Sequence, residues 1–308
     1  MQCAKAGKRV AVVEIMFEVG GNCTHRGTIP SKALRQIIQR KPNWLKFKDA
    51  DYQTLLRHSQ TVIEAQVELH RGFYEANDVD ILCGYGRFLD EHTVEVTAST
   101  GQQRQYTADA FFLATGSRPY RPDKVDFDHP RICDSDTILK LQETPKSLTI
   151  YGAGVIGCEY ASIFRGLGLK VNLINTRSQL LSFLDDEIID ALAYHLREMG
   201  VRIDHSEKYT SVEADEKGVT VKLESNKQVR ADYLLWANGR TGNSDKLGLA
   251  ALGIETDSRG NIRINENFQT AKPHIYAVGD LVGYPNLASA AYDQGRIAAS
   301  HLIDGQCS

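Results

Sequence analysis

The chain has 308 residues, 42% of them hydrophobic and 24% charged, with a formal net charge of −3, the proportions of a globular protein of about two domains at roughly 150 residues each. That balance gives no bulk reason to expect nucleic acid or an anionic membrane as a partner. No apolar run approaches the ~18 residues of a spanning helix, and residues 1–9 lack a signal-peptide core, so the expectation is a cytoplasmic protein whose partners are small molecules.

The first readable element is Lys8-Arg9-Val10-Ala11-Val12-Val13-Glu14, a β-branched run ending in an acid, which suits a buried parallel strand over 8–14. Helical spacing follows over 31–40 and 52–77, the second with Leu55, Leu56, Val62, Ile63, Val67 and Leu69 among its apolar positions. Strand-like pieces stand at 79–83, 93–96 and 110–114. Four of the chain's eight prolines fall in 117–145, which reads as a crossover. A second unit opens at Lys146, with a strand over 147–151, a glycine loop over 152–157, a helix over 159–167 and a strand over 170–175. Together these make one βαβ unit of about 30 residues. A helix near 185–199 and strands near 201–205, 218–223 and 231–236 complete it. The chain then returns to the first unit at 268, where a strand over 275–280 feeds a helix over 288–303. The expected fold class is α/β, with two Rossmann-like three-layer nucleotide-binding domains, one inserted in the other. The expected boundaries are 1–145 for the first domain, 146–267 for the insert and 268–308 for the return.

Gly152-Ala153-Gly154-Val155-Ile156-Gly157 is a G-x-G-x-x-G in a strand-loop-helix setting. Gly152 permits the tight turn, Gly154 lets a pyrophosphate approach the backbone, and Gly157 lets the helix close on the sheet. An acid at the end of the following strand would grip the 2′-hydroxyl of NAD; here Asn175-Thr176-Arg177 stands instead. Asparagine can bond a hydroxyl without repelling a phosphate, and the planar fork of Arg177 suits a 2′-phosphate. NADP is therefore expected, with NAD not excluded. The alternative reading of Arg177 is a solvated loop residue. The six cysteines and nine histidines show no metal-ligand spacing, and no metal is expected.

Gly20-Gly21-Asn22-Cys23-Thr24-His25-Arg26-Gly27-Thr28-Ile29-Pro30-Ser31-Lys32 resembles the active-site helix of the flavoprotein disulfide reductases, G-G-x-C, four residues, C-x-P-[ST]-K. Cys23 fills the first cysteine position, but Thr28 fills the second, and a hydroxyl cannot complete a disulfide. Ala114-Thr115-Gly116-Ser117 and Tyr276-Ala277-Val278-Gly279-Asp280 resemble the ATG and YAxGD motifs of the same family. The resemblance implies FAD as cofactor, with Glu14, Gly20, Gly21, Asn22, Cys23, Thr28, Thr115, Gly116, Gly279 and Asp280 as its contacts. Lys32 and Glu159 would form a buried catalytic pair near the flavin, where a lysine favours the anion of the reduced ring. No catalytic His-Asp set is legible around Cys23, and His25 reads equally as a packing residue.

With Thr28 in place of a sulfur, electrons must leave a flavin by another acceptor. This is similar to the branch of the family that transfers hydride between NADPH and NAD+ through FAD. The competing expectations are a dihydrolipoyl dehydrogenase-like enzyme or a quinone- or diaphorase-type flavoprotein, and a non-catalytic NAD(P)-binding module. Set against the family pattern, the chain is expected to be truncated. On that expectation the first strand with its FAD phosphate loop and the C-terminal domain that makes the family a homodimer are missing, and the chain is an inactive fragment.

Overall fold

The β-branched runs become parallel strands. The computed structural model describes residues 1–40 and 52–305; Cys307 lies outside them. The chain divides into two units, one from Met1–His25, Glu64–Arg118 and the chain from Arg240 on, the other from Arg26–Ile63 and Pro119–Gly239.

In the second of these, five parallel strands form one sheet in the spatial order Arg202–Asp204, Lys170–Ile174, Ser147–Tyr151, Tyr233–Trp236 and Ile132–Asp134. The Ser147–Tyr151 strand is buried from Leu148 on, and Tyr233–Trp236 throughout, as a sheet covered on both faces requires. Leu148, Ile150, Leu173 and Leu235 meet Ile163 and Phe164 of the Val155–Gly166 helix in one apolar cluster. Each such fully buried side chain stabilises by roughly 1.5–3 kcal/mol. The order around Ser147–Tyr151 runs third, second, first, fourth strand, the doubly wound arrangement whose ligand crevice opens beyond the strand carboxyl ends.

Several elements differ from their sequence reading. The strand expected at 231–236 is two, Gln228–Ala231 and Tyr233–Trp236. Asp232 separates them, its carboxylate accepting the backbone N–H of Lys146 (2.7 Å) and Ser147 (3.1 Å), which steers the chain from an antiparallel partner onto the parallel sheet. The Ile132–Asp134 strand lies inside the proline-rich crossover, three residues long and too short to show a period. Tyr209–Asp215 forms a three-stranded antiparallel sheet with Gly218–Leu223 and Gln228–Ala231. The helix expected from 31 starts at Thr28, because proline is tolerated in a first turn, where its missing N–H costs nothing. The helix expected from 159 starts at Val155, inside the glycine motif.

In the other unit Ala11–Glu14 pairs in parallel with Asp80–Cys83, and Phe111–Leu113 with Ile275–Ala277. The first strand is thus shorter than 8–14. Tyr85–Phe88, Thr93–Thr97 and Gln103–Thr107 make an antiparallel meander, of which only the middle strand shows in the sequence. Phe88, Val94, Val96, Leu113, Ile275 and Leu281 are core members here, and Ala288–Asp304 is the closing helix. Among the described residues no helix is long and apolar enough to cross a membrane.

Candidate functional site

The glycine loop occupies the crevice position, between the Ser147–Tyr151 strand and the Val155–Gly166 helix. Gly152 has φ +109°, and a Cβ there would stand 2.6 Å from the Ala237 carbonyl oxygen. A Cβ on Gly157 would run into the Gly152 carbonyl oxygen. Gly154 differs, with nothing within 4 Å of its would-be Cβ. It is the helix N-cap and makes no side-chain hydrogen bond to the first N–H groups, which a bound anion could therefore take up. Two glycines serve close packing and one leaves room, which fits a dinucleotide pyrophosphate.

Asn175 follows the Lys170–Ile174 strand and is 3% exposed. Its amide nitrogen donates to the Gln179 carbonyl (2.8 Å) and lies 3.2 Å from His205 Nδ1, while its oxygen accepts the Arg177 N–H at 3.2 Å. The side chain is thus engaged in the turn that carries Arg177. The Arg177 guanidinium donates to Ser182 Oγ at 2.7 Å. His205 also lies 3.3 Å from Arg197; burial first, then the Arg197 charge, pushes its pKa below the ordinary histidine value.

Thr28 and Lys32 lie on the Thr28–Arg40 helix, which packs along Val155–Gly166 in register. Lys32 is ion-paired with Glu159, Arg35 donates to Ser162, and Ile38 abuts Gly166. Leu34, Ile37 and Ile38 join the apolar cluster, so the helix is pinned by its apolar side. Lys32 lies one position off that stripe, and its side chain is 58% exposed against 24% for Glu159. The expected pair exists, but at the rim of the helix contact rather than buried. Thr28 is exposed.

The other unit gathers most of the flavin candidates. Glu14 closes its strand, its carboxylate accepting the Met16 N–H at 3.0 Å. Burial first, and next the Glu14 carboxylate, pushes the Tyr74 hydroxyl pKa up. Gly21, Asn22 and Cys23 lie on the short Gly21–His25 helix, and Gly20 precedes it at φ +115°. Cys23 is a half-buried free thiol, and His25 Nε2 lies 2.9 Å from the Val19 carbonyl. Asn22 Nδ2 donates to the Ser117 carbonyl at 2.5 Å and would lie 3.6 Å from a Cβ on Gly116. Thr115 Oγ1 donates to the Asn243 carbonyl at 2.9 Å. The Gly279 N–H donates to Gln294 Oε1 at 2.7 Å, and Asp280 Oδ2 accepts from Ser117 Oγ at 2.7 Å. Thr24, fully buried beneath Gly20, has a hydroxyl without a hydrogen-bond partner among the described residues. Separately, Ile15 and Phe17, which follow the Ala11–Glu14 strand, are exposed (63% and 86%), an apolar surface that a partly aromatic group would cover.

Sequence reasoning assigned no role to Ser117, Arg240 or Gln294, which tie these segments together. Their signal was their place inside or beside the motif runs 114–117, 237–243 and 287–296.

A family model described as pyridine nucleotide-disulphide oxidoreductase matches residues 1–295. Soluble pyridine nucleotide transhydrogenases of Vibrio parahaemolyticus and of an Enterobacter species are 55% and 53% identical to the chain, covering 99% of it and 68% of their own length. Among solved structures, the HOCl-induced flavoprotein disulfide reductase RclA of Escherichia coli is similar with a TM-score of 0.87 at 28% identity, over 99% of this chain and 68% of that one. LpdA of Mycobacterium tuberculosis is similar with a TM-score of 0.91 at 26% identity, over all of this chain and 70% of that one.

Proposed function

This chain belongs to the pyridine nucleotide-disulphide oxidoreductase family, and we propose that it transfers hydride between NADPH and NAD+ by way of FAD, with no redox disulfide. The observation that carries this is Thr28, a hydroxyl at the second sulfur position of a helix whose Lys32 is paired with Glu159. When bound, FAD would supply two-electron, hydride-level redox chemistry.

The chain's own residues bind and orient. Glu14, Gly20, Gly21, Asn22, Cys23, Thr115, Gly116, Gly279 and Asp280 would hold the flavin nucleotide. Gly152, Gly154 and Gly157 admit the nicotinamide dinucleotide at the helix N-terminus, and Arg177, on the turn that Asn175 braces, reads the 2′-phosphate. Lys32 and Glu159 are the catalytic pair, a cation held in place before charge develops. The setting is the cytoplasm and the assembly the homodimer of the family.

The test is an absorbance spectrum of the purified chain, followed by NADPH with thio-NAD+ as acceptor. Bound flavin and thio-NADH formation are expected. Turnover of lipoamide or glutathione disulfide in place of thio-NAD+ would refute the reading.

A further inference from the structure

Both ends of the Asn175 amide are fixed by their partners. Its oxygen takes the Arg177 N–H at 3.2 Å, so its nitrogen is the end that reaches the Gln179 carbonyl at 2.8 Å and His205 Nδ1 at 3.2 Å. An amide nitrogen only donates. His205 Nδ1 is therefore the acceptor, and the neutral ring carries its proton on Nε2. That nitrogen lies 3.3 Å from Nη2 of Arg197, which also only donates. Two donors thus face each other with no acceptor between them. Among the described residues no carboxylate pairs with Arg177 or Arg197, and Asp204, next to His205, is engaged by Arg202 at 3.0 Å and Lys227 at 3.5 Å. Asn175 and His205 each directly follow a strand, and the two strands are parallel neighbours. Both therefore stand at the carboxyl-end crevice where a dinucleotide ribose is read.

We infer that His205 and Arg197 join Arg177 as donors to the 2′-phosphate of NADP, and that His205 takes up a proton from solvent when that phosphate binds. When the 2′-hydroxyl of NAD occupies the same place, His205 stays neutral. This rests on the dinucleotide reading above and says how one turn serves both nucleotides. Without a ligand, burial first and then the Arg197 charge hold the His205 pKa below its ordinary value; the Arg177 carbonyl and the Asp204 carboxylate pull the other way. A phosphate dianion tips that balance, because an opposite charge a few ångströms away favours the charged ring. The protonated ring then donates from both nitrogens, to the phosphate and to the Arg177 carbonyl. A carboxylate in its place would repel the phosphate at every pH above its own pKa. A titratable ring adjusts instead.

The test is isothermal titration of the purified chain with NADP+ and with NAD+ at about pH 7.5, where a free phosphate monoester is mostly dianionic. Two buffers of different ionisation enthalpy count the protons bound. Uptake of about half a proton is expected with NADP+ and none with NAD+. His205→Gln keeps an acceptor for Asn175 but cannot gain charge. It is expected to abolish the uptake and weaken NADP+ about fivefold, with NAD+ changed less than about twofold. Arg197→Gln weakens NADP+ about fivefold and, without any ligand, raises the His205 pKa followed by imidazole NMR, since a neighbouring cation has gone. Far-UV circular dichroism checks folding. NADP+ binding without proton uptake overturns the inference and leaves the dinucleotide reading intact, as does equal weakening of both nucleotides by His205→Gln. If His205→Gln does not fold, unchanged NADP+ affinity in Arg197→Gln overturns it instead. Failure of the unsubstituted chain to bind either nucleotide overturns the dinucleotide reading and this inference with it.

Discussion

The nicotinamide site and the flavin site are assembled in contrasting ways. Strand, glycine loop, helix and the turn at Asn175 follow one another within about 30 residues, whereas Glu14 and Asn22, Gly116, and Asp280 arrive from three separate segments of the other unit. Where the chain is continuous, covalent neighbours set the geometry and the constraint is steric: a backbone oxygen stands where a Cβ would go at Gly152 and Gly157. Where the segments are far apart, hydrogen bonds such as Asn22 to Ser117 and Ser117 to Asp280 hold them in register. A continuous site should therefore fail at single backbone positions, and a dispersed one through coupled side chains.

The largest expected effect tests the steric half. Gly157→Ala puts a Cβ into the Gly152 carbonyl, and NADPH affinity is expected to fall at least about 100-fold with a loss of about 3 kcal/mol in stability, read by NADPH titration and thermal unfolding. Gly154→Ala meets nothing within 4 Å; it should cost affinity while leaving stability within about 0.5 kcal/mol. Equal stability losses at both positions would break the division of roles.

Next comes Lys32→Met, expected to slow flavin reduction by NADPH about 100-fold in stopped flow at the flavin absorbance. An unchanged rate would remove Lys32 from the catalytic pair.

Asp134 tests whether a side-chain network also holds the unit that carries the continuous site. It is fully buried. Burial alone would raise its carboxyl pKa, but hydrogen bonds from Arg121 and Thr137 outweigh burial and hold it below the usual carboxylate range. A depressed folded pKa means the stabilisation is complete above the unfolded value near 4 and is lost as pH falls through the folded one. Asp134→Ala should cost about 2–3 kcal/mol at pH 7, and the gap to the unsubstituted chain should narrow in thermal melts below about pH 4. A gap constant with pH would contradict the assignment.

The smallest effect sharpens cofactor choice. Arg177→Ala should weaken NADPH about tenfold and NADH less than about twofold by isothermal titration; equal changes would make Arg177 a plain loop residue.

The two regions were also unequally legible. The βαβ unit could be read because periodicity and glycine spacing report on neighbours a few residues away. Even there the amide of Asn175 reads as a ribose contact, while in the fold Gln179, His205 and Arg177 engage it. Local pattern carries no word of partners that fold back from other strands. Lys32 and Glu159, 127 residues apart, became a pair in the sequence only through resemblance, and their exposure at the helix rim was not foreseeable from it.

What the order of residues settles here is chemical inventory: a glycine turn with room for a pyrophosphate, a helix start without its second sulfur, an arginine after the second strand. These depend on side-chain identity and on contacts within a few positions. Folding decided the rest, namely that Ser117 bonds both Arg240 and Asp280, and that Asn175 faces inward. Those outcomes are set by long-range burial and by the requirement that buried polar atoms find partners, which no stretch of this chain can meet alone.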